Sequence, residues 1–167
     1  MKIRPETSHD INVIEHLTIA AFAGKPHSNQ TEHLVINGLR DTGAVSVSLV
    51  AEMDNKVVGN IVFSLVTING ENINWYGLGP ISVLPELQLQ GIGSKLVKEG
   101  LSSIREIGAQ GCVLEGSPEY YNRFGFKTYP GLFYEGAPAP EYFMALPFYD
   151  EVPQGKVEFH QAFYVSA

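Results

Sequence analysis

The segment Gln88-Leu89-Gln90-Gly91-Ile92-Gly93 stands between two hydrophobic periods that cannot belong to one element, and so sets the order in which sheet and helix follow. On its N-terminal side, Val45, Val47, Leu49, Ala51 and Met53 alternate with Ser46, Ser48, Val50 and Glu52, which is the period of a strand. Asp54-Asn55 supplies a turn, a β-branched return strand is expected over 57–69, and Gly70 offers a second reversal into 73–83. On its C-terminal side, Ile92, Leu96, Leu101, Ile104 and Ile107 recur at helical spacing. Gly108 and Gly111 then separate that helix from a short strand, Cys112-Val113-Leu114. An antiparallel meander followed by strand, helix and strand places a glycine turn at a helix N-terminus.

The flanking regions complete the pattern. Lys2 to Arg4 is a short apolar start, and Ser8 can cap a helix carrying Ile11, Ile14, Leu17, Ala21 and Phe22 that ends at Gly24. A second helix carries Leu34, Val35, Ile36 and Leu39 before Gly43. Ser117-Pro118 reads as the start of a short helix closed by Gly125. Strands are expected over 126–129, 142–146 and 157–164, between proline- and glycine-rich loops. No repeat or linker interrupts the chain, and 167 residues with 44% hydrophobic content suit one domain, 1–167.

A helix N-terminus presents unpaired N–H groups and partial positive charge, so phosphates bind there wherever the backbone can approach closely. Gly91 and Gly93 remove obstructing side chains, Gln88 adds an uncharged donor, and Ser94 and Lys95 can reach phosphates from the first helical turn. The pattern suits a diphosphate, although such turns also serve merely to pack a tight corner. The segment lacks the glycine and Lys-Ser/Thr spacing of a P-loop. The dinucleotide fingerprint matches at Gly91 and Gly93, with Glu115 as its ribose-binding acid, but Leu96 occupies the third glycine position and the preceding strands read as antiparallel.

Eighteen acidic against 11 basic residues, a formal net of -7, disfavour nucleic acid and acidic lipid surfaces and match basic, amine-bearing small molecules. With Cys112 as the single cysteine, an intrachain disulfide is impossible, and a reducing, cytoplasmic compartment is expected. The N-terminal residues lack the apolar run of a signal peptide, and no stretch reads as a membrane span. The five histidines show no zinc-binding spacing, so no metal is expected.

Taken together, Gln88-x-x-Gly91-x-Gly93 and Tyr120-Tyr121-Asn122-Arg123-Phe124-Gly125-Phe126 resemble the GNAT superfamily of N-acetyltransferases. Gly77-Leu78-Gly79-Pro80-Ile81-Ser82-Val83 and Lys156-Val157-Glu158-Phe159-His160-Gln161-Ala162-Phe163 resemble its YhbS-like subgroup. The resemblance implies an α/β (α+β) fold: a mixed, mostly antiparallel central sheet of about seven strands, flanked by about four helices and splayed between the fourth and fifth strands. It implies acetyl-CoA as co-substrate, with pantetheine between the strand ending at Val83 and the strand Cys112 to Leu114, touching Ile81, Ser82 and Val83 through main chain. The pyrophosphate would lie on Gln88, Leu89, Gln90, Gly91, Ile92, Gly93, Ser94 and Lys95. Tyr121 would be the general acid that protonates the departing thiolate, with neighbouring Tyr120 able to trade roles with it, and a backbone N–H near Val83 would stabilise the oxyanion.

The implied reaction is direct transfer to a primary amine of a small molecule or peptide in a ternary complex. Better-known members often carry a strand glutamate as general base, and Asn74-Trp75-Tyr76-Gly77-Leu78 has no acid, which leaves Glu52, Glu115, His160 or a water chain. Cys112 has no adjacent histidine and reads as a small core residue rather than an acyl carrier. The aromatic tail, Phe133, Tyr134, Tyr142, Phe143, Phe148 and Tyr149, reads as packing, with some of it lining the acceptor pocket beside the loop around His27. Two other readings stay open: a non-catalytic acyl-CoA-binding sensor and a Rossmann-type nucleotide-binding protein. A homodimer is also left open.

Overall fold

The structure, a computed structural model, describes residues 1–165. In chain order the elements are β1 (Lys2–Pro5), α1 (Ile11–Phe22), α2 (Glu32–Asp41), β2 (Val47–Met53), β3 (Lys56–Leu65), β4 (Thr67–Ile68) and β5 (Trp75–Val83). They continue with α3 (Ile92–Glu106), β6 (Gly111–Glu115), α4 (Pro118–Tyr121), β7 (Leu132–Phe133), β8 (Phe143–Pro147) and β9 (Gly155–Glu158). The central sheet has six strands in the order β1-β2-β3-β5-β6-β8, antiparallel except at β5–β6, and β4-β9-β7 form a smaller sheet.

The parallel pair is where the sheet opens. β5 and β6 pair only at Trp75–Gly111, Tyr76–Cys112 and Gly77–Val113. Beyond Gly77, β5 continues alongside β3, while Leu114 and Glu115 continue alongside β8. A bulge accompanies the split: Ile61 faces Ile81 and Phe63 faces Leu78, so Gly79 and Pro80 together oppose Val62.

Alternation along the strands divides the core between the two faces. Ile61, Phe63, Leu78, Cys112 and Leu114 pack under Leu96, Val97 and Ile104 of α3. Val50 and Val62, on the opposite face, lie under Ile14, Val35, Ile36 and Leu39 of α1 and α2. The small sheet closes a third cluster with Val66, Trp75, Val113, Phe143 and Val157. No helix among the described residues is long and apolar enough to cross a membrane.

Three local expectations are corrected. Ser8 is not the cap of α1: it lies in a 3-10 turn, Ser8–Asp10, held by Asp10 Oδ2, which accepts from Thr7 N at 2.7 Å. The stretch 126–129 makes only a single bridge, Lys127 to Ala145, because glycine and proline on either side prevent a ladder. The last strand stops at Glu158; His160 Nδ1 accepts from Ala162 N at 3.0 Å and turns the chain into a 3-10 turn, Gln161–Tyr164.

Arg4 anchors β1 to that first turn and to β2, donating to both Asp10 oxygens at 2.8 and 3.1 Å and to Glu52 Oε2 at 2.6 Å. The bond from Arg4 holds the buried Asp10 carboxyl down at about 2. A depressed carboxylate stabilises the fold above its unfolded pKa, and that contribution disappears as pH falls through the folded value. Asp10→Asn is therefore expected to cost roughly 1–2 kcal/mol at neutral pH, with the difference from wild type vanishing between about pH 4 and 2 in urea titrations.

Candidate active site

The turn after β5 is built to leave helix amides free. Leu84 N donates to Val58 O at 2.9 Å, a 3-10 turn covers Pro85–Leu87, and Gln88 Nε2 donates to Val83 O at 3.0 Å. Gln88 thus braces the loop against the end of β5, in addition to lining the cleft beside it. Gly91 precedes α3 at φ +89, in the left-handed region that glycine adopts without strain. The bond from Lys95 N to Gly91 O, at 3.1 Å, leaves the amides of Ile92, Gly93 and Ser94 without an i−4 acceptor in the helix.

Those amides open on a cleft of about 410 Å³, within the range of small-molecule sites. Its lining brings together Ile81, Val83, Gln88, Leu89, Gly91, Ile92, Gly93, Ser94 and Tyr121 from the residues expected in sequence. Gln90 and Lys95 are exposed and do not line it, and Ser82 points to the other side of β5, buried at 3% exposure. A Cβ on Gly93 would come within 3.3 Å of the Tyr120 hydroxyl, so the absent side chain keeps the cleft wide at the helix end.

Arg123 is the only charged side chain lining this cleft among the described residues. Its guanidinium lies 4.4 Å from the centre of the Tyr120 ring, and its Nε donates to Tyr120 O at 2.8 Å. In the sequence Arg123 stands inside the Tyr120-to-Phe126 motif with no role of its own; its place three residues after Tyr120, one helical turn on, is the signal that pairs the two.

Tyr121 is held by packing. Its ring contacts Tyr120, Phe124 and Phe126 with centroids 4.9, 6.2 and 6.0 Å away, and a Cβ on Gly116 would stand 2.6 Å from it. Burial, followed by Tyr120 and Cys112, pushes its hydroxyl up to about 12, so it remains a proton donor at neutral pH. Cys112 beneath it is fully buried, and burial alone pushes its thiol far above the ordinary range, which removes it as a nucleophile.

A second cleft of about 360 Å³ lies across β5, lined by α1–α2 loop residues, by Leu78 to Ile81 and by the C-terminal aromatics. Ile81 and Tyr121 line both clefts. Of the possible bases, only Glu115 lines this second cleft. The residue is open to solvent on one side, yet desolvation of its carboxyl raises its pKa. Glu52 is bound to Arg4 beside a cavity near β1, and His160 contacts Thr42 Oγ1 at 3.2 Å, so neither faces the clefts. Glu32, in the first turn of α2, lines the second cleft as well and was not singled out in sequence, where it reads as an ordinary helix-start acid. The described residues contain no group of three or more potential metal ligands.

Comparison with known proteins agrees with this architecture. The sequence profile of the acetyltransferase (GNAT) domain matches residues 45–128. The uncharacterized N-acetyltransferase YhbS of Escherichia coli K12 is 35% identical over 128 residues, 76% of this chain and 74% of the relative. Among solved structures, a GNAT family acetyltransferase from Brucella melitensis in complex with acetyl-CoA is 46% identical with a TM-score of 0.87, covering 97% of both chains. YhbS from Escherichia coli in complex with CoA is 30% identical with a TM-score of 0.90, covering 98% of this chain and 92% of that one.

Proposed function

We propose, from the premise that this chain belongs to the GNAT family of acetyltransferases, that it moves an acetyl group from acetyl-CoA directly to a primary amine of a small molecule or peptide, both held at once. The observation that carries this reading is the meeting of the two clefts at Ile81 and Tyr121, where a donor on one side and an acceptor on the other would touch. The similarity to proteins solved with acetyl-CoA and CoA supports assigning the first cleft to the donor. We take 1–167 as one such domain working in the cytoplasm.

In this reading the diphosphate lies on the free amides of Ile92, Gly93 and Ser94, with Arg123 adding the charge and Gln88, Leu89 and Gly91 shaping the turn. Pantetheine runs along the main chain of Ile81, Ser82 and Val83, where β5 has left β6. Gln90 and Lys95, outside the lining, are assigned no contact. The amine nitrogen bonds to the thioester carbonyl carbon as Glu115 takes its proton, directly or through a water, and a backbone N–H near Val83 stabilises the oxyanion. As the carbon–sulfur bond breaks, the thiolate takes the Tyr121 proton; Tyr121 then recovers a proton from solvent and Glu115 gives its proton up to solvent.

Thiol release from acetyl-CoA, followed with an amine and peptide panel, tests the reading. Release with formation of an acetylated amine, and initial-rate lines that intersect as both substrates are varied, are expected. Parallel lines would instead mean an acyl-enzyme, and CoA binding without release on any acceptor would favour a sensor. Gly93→Val should weaken CoA binding roughly tenfold or more by calorimetry, since the added methyl groups crowd Tyr120 and lift the diphosphate from charge-assisted bonds.

A further inference from the structure

The second cleft has a lining with a definite chemical bias. Among the described residues its charged side chains are Glu32 and Glu115 alone, and neither forms an ion pair. Ser28 Oγ lies 2.8 Å from both Glu32 oxygens, fixing that carboxylate without neutralising it. The same cleft is lined by the rings of Phe22, Tyr134, Phe159 and Phe163. Three of these rings hold one another: Tyr134 and Phe159 are nearly perpendicular at 4.9 Å, and Phe159 and Phe163 lie 5.2 Å apart.

Glu32 also lines an adjoining lobe of about 260 Å³, together with Ser82. Ser82 is 3% exposed, and its hydroxyl has no hydrogen-bond partner among the described residues. A buried hydroxyl in that condition costs free energy unless a ligand satisfies it. Lys25 and His27 line only this smaller lobe, and both are exposed.

Resting on the acetyl-transfer reading, we infer that the acceptor is a small arylalkylamine: a primary amine on a short arm from an aromatic body, with no carboxylate beside the amine. The aromatic body fills the ring-lined lobe, where its faces and edges pair with Tyr134, Phe159 and Phe163. The amine arrives protonated, drawn in by Glu32 and Glu115; it gives one proton to water before its lone pair attacks and the second to Glu115 as the amide forms. An α-carboxylate would meet the same two acids and be repelled. An aliphatic amine would keep the charge contact and lose the ring contacts.

The test compares phenethylamine, L-phenylalanine and n-butylamine by thiol release from acetyl-CoA. We expect kcat/KM for phenethylamine to exceed each of the others by about tenfold or more, about 1.4 kcal/mol of discrimination. Equal rates, or a preference for phenylalanine through Lys25 and His27, would overturn the inference while leaving acetyl transfer intact. If none of the three releases thiol, calorimetry on the CoA-loaded protein decides: tighter binding of phenethylamine than of phenylalanine supports it, and no preference refutes it. Glu32→Gln should shrink the phenethylamine-to-phenylalanine ratio several-fold, and Glu32→Asp should retain most of it. A merely structural role would lower both amines alike in both variants.

Discussion

Tyr121→Phe is expected to lower kcat by about 10²–10³-fold while the dissociation constant of CoA stays within about twofold. The substitution removes one oxygen and leaves the ring, and the ring is what packs against Tyr120, Phe124 and Phe126. A defect in folding or donor binding would therefore point away from the hydroxyl. The hydroxyl's elevated value of about 12 also fixes its pH signature. It stays protonated throughout the working range, so no alkaline decline below about pH 12 should come from it. Single-turnover measurements with CoA affinity recorded in parallel settle the matter: full turnover in Tyr121→Phe would remove it from the chemistry.

The second large effect is expected at Glu115. A base must be ionised to accept a proton, so activity should fall as pH drops through the Glu115 pKa, which desolvation has moved above the ordinary carboxylate range. Glu115→Gln should cost about 10²-fold at neutral pH and abolish that acidic limb of kcat/KM, because the amide neither accepts a proton as a base nor titrates in this range. A variant that keeps the same limb would place the titrating group elsewhere. This limb and the stability loss predicted from Asp10 lie in separate windows. The first concerns a raised carboxylate and a rate, the second a carboxylate held near 2 and the fold itself.

Much of this was legible in the sequence because it was local. The alternation in Val47–Met53, the helical spacing in Ile92–Glu106 and the glycine turn between β5 and α3 each follow from neighbours in the chain. What was not legible depends on residues far apart. Gln88 looked like a phosphate donor and turns back to Val83 because the loop brings that carbonyl within reach. Lys95 reads as a phosphate ligand in the first turn of its helix, yet the helix carries it outward, while the 3-10 turn Asn122–Phe124 that follows α4 delivers Arg123 to the cleft. Glu52 and Glu115 are equivalent as sequence; a partner, Arg4, separates them. The strand expected to run on through Phe159 and Phe163 ends early because His160 caps the following turn with its own ring.

The three free amides of Ile92, Gly93 and Ser94, backed by one guanidinium, have a consequence for how this molecule coexists with its own charge. A chain with a formal net of -7 repels polyanions at long range, and a cluster of lysines would restore attraction only by a force that salt screens. Amide dipoles act at contact distance, inside the Debye length of about 8 Å at physiological ionic strength. If the diphosphate sits there as proposed, salt would act on the donor's approach, by screening the surface's repulsion, more than on the contacts that hold it once bound, and the rest of the surface stays free to be acidic.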